Sequence, residues 1–549
     1  MSDKKQILKL SIAIALVSVS LVMLLFSQSN ADEQAKQEEE VQATYDSQVA
    51  EEKIPVFEEE TTLSDGLEAT TQPEAQESEK NDDMPFIITK KDGGEVKPGV
   101  DYSYTAPESS KPGLLEILES GDNLVVGNVD PSTPANCKIQ VLNALNVNNL
   151  TLKNLNIRND STDVFPSLLI YDQSQETKDF DLNIEGECTI ARDGTYGQCL
   201  DYEFSGDGIT NVNINGAPGS ILNVYTSDTQ AGFAIGLFAY QKGIVNVNIG
   251  SDFKLHSEAK QTLLIGHNNN ADSTLTIKDN ASLDIQDLGR GVVSTTTTLK
   301  DNARLSVVST STNNEPAILI GSRNATMPIE KYPKFSVLGN ASLDARTTTN
   351  CSALNLYKVD SLIDTNGHIE LYTEGASALV LYYSGSSECP TFSGNFNFLK
   401  GLLYCTGYYC NDDPENYYEV GPIEFMNDYS FSGIPEGYVF VGTDELNAPL
   451  ENLTKEVKIG PEPGDEDAYD TVLYNKETNE AKCPKTVALM PPYVPPTPPG
   501  PEPSPDVPES EDISATAQTG DGALPLAVLA IVAVAGAGAT FGARKLRKN

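Results

Sequence analysis

At 549 residues the chain is long enough for several domains and a sizeable core, and its 79 acidic against 37 basic side chains give a formal net charge of −42. A surface so acidic repels phosphate backbones, which excludes nucleic acid as a partner and suits a body held outside a cell. Trp is absent and only three His are present, too few for a zinc-binding spacing, so no metal centre is expected.

The chain opens with Lys4, Lys5 and Lys9 ahead of an apolar stretch at 10–26, then Ser29, Asn30 and Ala31 before Asp32. A basic start, an apolar middle and small residues at a cleavage site make 1–31 a signal peptide cut near Ala31. The long apolar stretch also fits an uncleaved anchor. Residues 32–83 carry eighteen acidic side chains against three Lys, with few aromatics and no period, and read as a disordered spacer.

Residues 84–148 are expected to cap a repeat array that fills 149–400. Within the array, short apolar segments alternate with polar residues at period two, and no helical period shows. Three segments align: Asp279-Asn280-Ala281-Ser282-Leu283, Asp301-Asn302-Ala303-Arg304-Leu305 and Gly339-Asn340-Ala341-Ser342-Leu343. Each reads strand, polar turn, strand, and a third apolar segment such as Leu263-Leu264-Ile265 or Ile318-Leu319-Ile320 often follows. Such a pattern predicts an all-β, right-handed parallel β-helix of about nine three-strand coils. At about 4.8 Å per stacked strand it would be about 43 Å long. Leu255, Leu283, Leu305, Leu343 and Ile369 occupy one place and should stack inward. Asn280, Asn302, Asn340 and Asn366 share a turn place, where Asn tolerates left-handed backbone and stacked amides bond one another.

Residues 401–490 are rich in Tyr, including Tyr404, Tyr408 and Tyr409, and read as a small β module or a C-terminal cap. Clustered Tyr can stack on sugar rings, and it can equally pack over the end of a solenoid. Eight Cys in an oxidising compartment permit disulfides. Cys405 with Cys410 is the first expected pair and Cys188 with Cys199 the second. Residues 491–519 open with repeated Pro and favour a stiff polyproline stalk. Thr516-Ala517-Gln518-Thr519-Gly520 follows, then an apolar run at 523–543, about 31 Å as a helix and enough to cross a bilayer, and finally a basic tail from Arg544 to Lys548.

This C-terminal order resembles the cell-wall sorting signal of Gram-positive surface proteins. The resemblance implies a sortase-like transpeptidase that cuts between Thr519 and Gly520 and joins the chain to the cell wall. The usual Leu-Pro of that motif is replaced here by Thr516-Ala517, so simple retention by a transmembrane helix is the other reading. Either way the body lies outside the cell, wall-anchored or membrane-anchored. The repeats resemble the pectate-lyase-like right-handed β-helix group, and more closely its non-catalytic adhesive members.

A lyase of that group needs calcium-binding carboxylates and a basic residue that takes a proton, and a hydrolase needs paired carboxylates. The outward places beside the Leu ladder are His256, Asp284, Ser306, Asp344 and Glu370. Asp284 and Asp344 lie two coil steps apart, roughly 10 Å, with Ser306 between them. A solvated face accounts for them equally well, and no catalytic residue is assigned. His256, Asp284, Asp344, Glu370, Tyr408 and Tyr409 are the candidate binding residues, and calcium is the one cofactor left open. Three functions are carried forward: adhesion to glycan, matrix protein or neighbouring cells; polysaccharide cleavage by a lyase or glycoside hydrolase; and a purely structural surface role.

Overall fold

The computed structural model describes most of 84–491, apart from short internal segments of which 312–314, 322–332, 383–393, 412–417, 462–470 and 476–483 are examples. The expected signal peptide, acidic spacer, stalk, sorting residues Thr519 and Gly520, and membrane span at 523–543 lie outside the described residues. Among the described residues no helix is long and apolar enough to cross a membrane.

The described chain is all-β apart from one short 3-10 turn at Leu450–Asn452. Its strands fall into three columns, and the strand order and register are those of a parallel β-solenoid. One circuit runs through Ile235–Ala239 in the third column, Ile244–Ser251 in the first and Lys254–Ala259 in the second. The next runs through Leu263–Ile265, Thr274–Ile277 and Ser282–Asp287. Each strand pairs in parallel with its counterpart one circuit later. Further on, the single strand Asp360–Tyr372 supplies both the first and second columns.

The alternation read from the sequence places the core. In the second column Leu222, Leu255, Leu283, Leu305, Leu343, Ile369 and Leu403 are stacked in register, each buried. The first column adds Ile249, Ile277, Leu299, Val337, Ile363 and Phe398. These rows belong to one continuous apolar core along the axis. Burying a Leu or Ile contributes about 1.5–3 kcal/mol, so the ladders are the main favourable term.

The amide ladder forms as expected. Asn302 Nδ2 donates to Asn280 Oδ1 at 3.0 Å, Asn340 to Asn302 at 2.9 Å and Asn366 to Asn340 at 2.8 Å. The left-handed residue, however, sits one place earlier, at Asp279 (φ 57°), Asp301 (φ 61°) and Gly339 (φ 73°). The preceding residue turns the chain, which leaves the Asn side chain free to reach along the stack. A second amide array, not anticipated, lies on the first column: Asn246 donates to Asn211 and Asn248 to Asn213, both at 3.0 Å.

Parallel stacking starts before 149. Gly113–Ile117 pairs in parallel with Cys137–Val141, and Leu124–Asn128 with Asn149–Lys153. No Asn-Ala-x-Leu signature occurs before 149, so the repeat is not legible there, whereas the circuits that turn at Asn154 and Gly186 fall inside the expected array. The N-terminal cap is shorter than expected. It consists of Phe86–Lys90, antiparallel to Leu124–Asn128, and Tyr102–Thr105, antiparallel to Gly113–Ile117. At the other end Ile423–Phe425 and Tyr429–Ser432 still stack in parallel beyond residue 400. Thr486–Met490 then closes the second column by pairing antiparallel with the end of Gly394–Thr406 and with Val439–Thr443.

The expected disulfides are not formed. Cys188 and Cys405 are free thiols in the inward rows of the second column, in register with Leu222 and with Leu371. Cys199 is a buried free thiol whose Sγ lies 3.3 Å from the Tyr225 carbonyl oxygen. Alternation turns Cys188 into the core as a small apolar residue, away from any bridge to Cys199. Burial pushes the Cys188 thiol up to about 11 and the Cys199 thiol up to about 12. The side chain of Cys410 lies outside the described residues.

Candidate functional site

Because alternate residues of the second column face inward, the residues between them form outward rows along the axis. The sequence-predicted row His256, Asp284, Ser306, Asp344 and Glu370 is in register, and the structure extends it to Asn223 on one side and Tyr404 on the other. Its charged members gather into two clusters rather than one cleft. In the first, His256 Nδ1 lies 3.4 Å from Asp284 Oδ2 and its Nε2 lies 3.3 Å from Glu258 Oε1. Gln286 Nε2 donates to Asp284 Oδ1 at 3.1 Å.

The second cluster centres on Asp344. His368 Nε2 lies 2.7 Å from Asp344 Oδ1, and Arg304 Nη2 lies 3.1 Å from Asp344 Oδ2. Arg346 Nη2 lies 3.6 Å from Glu370 Oε1 and packs its guanidinium over the Tyr372 ring at 5.0 Å. Burial works to raise the Asp344 carboxyl, but the hydrogen bond and charge of His368, with the charge of Arg304, hold it below the usual carboxylate range. The same hydrogen bond lifts the His368 imidazole against the opposing effect of burial. Asp284 and Asp344 therefore do not face each other across an open site; each is held by its own imidazole.

Sequence reasoning missed His368 and Arg304. Both sit one outward place before the row that was followed: Arg304 pairs with Ser342 in the stack, and His368 precedes the ladder residue Ile369. Period-two alternation carried through the triplet His368-Ile369-Glu370 would have found the histidine.

A groove of about 720 Å³ runs beside the His256 row. Its floor is the neighbouring outward row, Arg158, Ala191, Tyr225, Glu258, Gln286 and Val308, all in register. Small Ala191 opens the groove beside the Tyr225 phenol, which meets the His256 ring edge-on at 6.1 Å. An Arg158–Asp193 ion pair lies at one end, and that guanidinium holds the Asp193 carboxyl below its ordinary range. Exposed Leu288 contributes an apolar wall. No local motif marks this groove; it exists only once the strands stack.

The Tyr-rich end is a cap. Tyr404 is buried and donates its hydroxyl to the Ala448 carbonyl oxygen at 2.7 Å. Tyr408 is half-buried with the Lys485 ammonium 4.5 Å above one face of its ring, and Tyr409 lies in the short hairpin strand beside it. No protein family, curated protein or solved structure matches the chain.

Proposed function

We propose that the chain is an exported bacterial surface protein, anchored at its C-terminus, that displays a right-handed parallel β-helix for adhesion to a glycan on matrix or neighbouring cells. Crossovers between parallel strands of one sheet are right-handed in nearly all proteins, which gives the hand. Export rests on the basic-apolar start and anchorage on the apolar run at 523–543 with its basic tail. The observation that carries adhesion is the open groove along the stacked row from Arg158 to Val308. It pairs an aromatic face, Tyr225, with polar groups able to hydrogen-bond hydroxyls, the combination that sugar rings require. Weak contacts repeated along one solenoid gain through effective concentration.

Polysaccharide cleavage is the second reading. It is favoured by the meeting of Asp344 with a basic imidazole and a guanidinium, a set able to hold an anionic sugar and move a proton.

One experiment separates these. The full-length chain is applied to a glycan and matrix-protein array, with and without calcium, and the same samples are read for new reducing or unsaturated sugar ends. Binding without release supports adhesion, and Tyr225→Ala should then weaken it several-fold, up to about tenfold, from the loss of one stacking face. Sugar release overturns adhesion in favour of cleavage. Silence in both readouts rejects the two and leaves a structural surface component.

A further inference from the structure

We propose that Asp344, His368 and Glu370 form a binding site for one divalent ion of the zinc type. The three side chains come from two adjacent circuits. His368 and Glu370 are two residues apart on the same face of Asp360–Tyr372, and Asp344 sits directly beside Glu370 in register on Ser342–Thr347. Each offers one ligand atom, and these atoms all lie within 4.8 Å of one another. Tetrahedral zinc with bonds of about 2.0–2.2 Å sets its ligand atoms roughly 3.4 Å apart, so modest rotation of the two long side chains closes the set.

The donor chemistry selects the ion. One imidazole nitrogen and two carboxylate oxygens suit zinc and its transition-metal neighbours, whereas calcium requires six or more oxygens. His368 and Asp344 already face each other at 2.7 Å, and the ion takes the place of the proton between them. Arg304 and Arg346 grip Asp344 Oδ2 and Glu370 Oε1, which orients both carboxylates while leaving each its second oxygen. Outer partners of this kind commonly fix the ligands of metal sites. Their positive charge offsets that of the carboxylates and makes the affinity moderate. All three ligands are half-exposed, so an ion enters from solvent and keeps one position for water or for an oxygen of a bound molecule. The site stands independently of whether the neighbouring groove binds a glycan.

The test titrates Zn2+ into the full-length chain against a chromophoric chelator, and records the visible spectrum after Co2+ is added instead. One ion per chain is expected, with Co2+ bands of a four- or five-coordinate site. His368→Ala should weaken binding by at least about tenfold, and Glu370→Gln, which keeps the side-chain volume, should weaken it as well. His256→Ala, at the other imidazole cluster, should leave it unchanged. No competition with the chelator, or zinc binding equal in wild type and in Glu370→Gln and His368→Ala, overturns the proposal. Loss of binding in His256→Ala alone moves the ion to the other cluster and overturns it too. Should His368→Ala fail to fold, the Glu370→Gln titration and the wild-type Co2+ spectrum decide alone.

Discussion

At the scale of single residues, Asp287 is a buried carboxyl with a testable titration. It closes the inward end of Ser282–Asp287, where Thr262 Oγ1 donates to its Oδ1 at 2.6 Å and its Oδ2 has no hydrogen-bond partner among the described residues. Burial pushes its carboxyl up to about 8, against hydrogen bonds from Thr262 and Ala259 that lower it. The folded state thus holds a proton that the unfolded chain releases near pH 4. Stability from this group is full below about pH 4, is lost as pH rises, at up to about 1.4 kcal/mol per unit, and levels off above about pH 8. Asp287→Asn removes the titration. Its melting temperature relative to wild type should climb between pH 4 and 8 and then stay flat; a difference independent of pH would refute the assignment. The row itself could be foreseen, since Asp287 follows Leu283 and Ile285 in alternation. That it faces inward without a counter-charge could not, because its neighbours Ala259 and Ser309 come from other circuits.

At the scale of one strand, the inward ladder carries the energy. Leu305 is stacked between Leu283 and Leu343 and is buried. Leu305→Ala should cost about 2–5 kcal/mol, read as a lowered midpoint in urea. Asn302→Ala breaks two amide bonds on the exposed turn and should cost only about 1–2 kcal/mol. An equal cost for the two would mean that the amide ladder, not the apolar one, organises the stack. Both ladders were legible in the chain because Asn302 and Leu305 recur with fixed spacing. The left-handed turn residue was misplaced by one, since Asp, Gly and Asn all tolerate that backbone and composition alone does not choose among them.

At the scale of the whole folded unit, a stack of parallel strands leaves a hydrogen-bonding edge at each end, and exposed edges recruit other chains. Phe86–Lys90 and Tyr102–Thr105 cover one end by pairing antiparallel, and Thr486–Met490 covers the other. Deletion of 84–111 should therefore leave the strands Gly113–Ile117 and Leu124–Asn128 as open edges. The shortened chain should associate at concentrations where the intact chain is monodisperse, as measured by light scattering. A monodisperse shortened chain would show that the cap is dispensable.

The chain by itself determined what repeats locally: period-two alternation, the inward Leu places, the Asn places at the turn, and the outward register of His256, Asp284, Asp344 and Glu370. Those features follow from the pleat of one strand and the chemistry of one turn, which neighbouring residues set. The tertiary structure alone decided which outward side chains meet, where the groove opens, that Cys188, Cys199 and Cys405 stay reduced in the core, and that the first circuit begins before 149. Partners across the stack are separated by 22 residues at Asn280 and Asn302 but by 40 at Arg304 and Asp344. Circuit length varies with the loops, so the sequence distance between stacked neighbours has no fixed value, and only the 4.8 Å step of the folded solenoid brings them together.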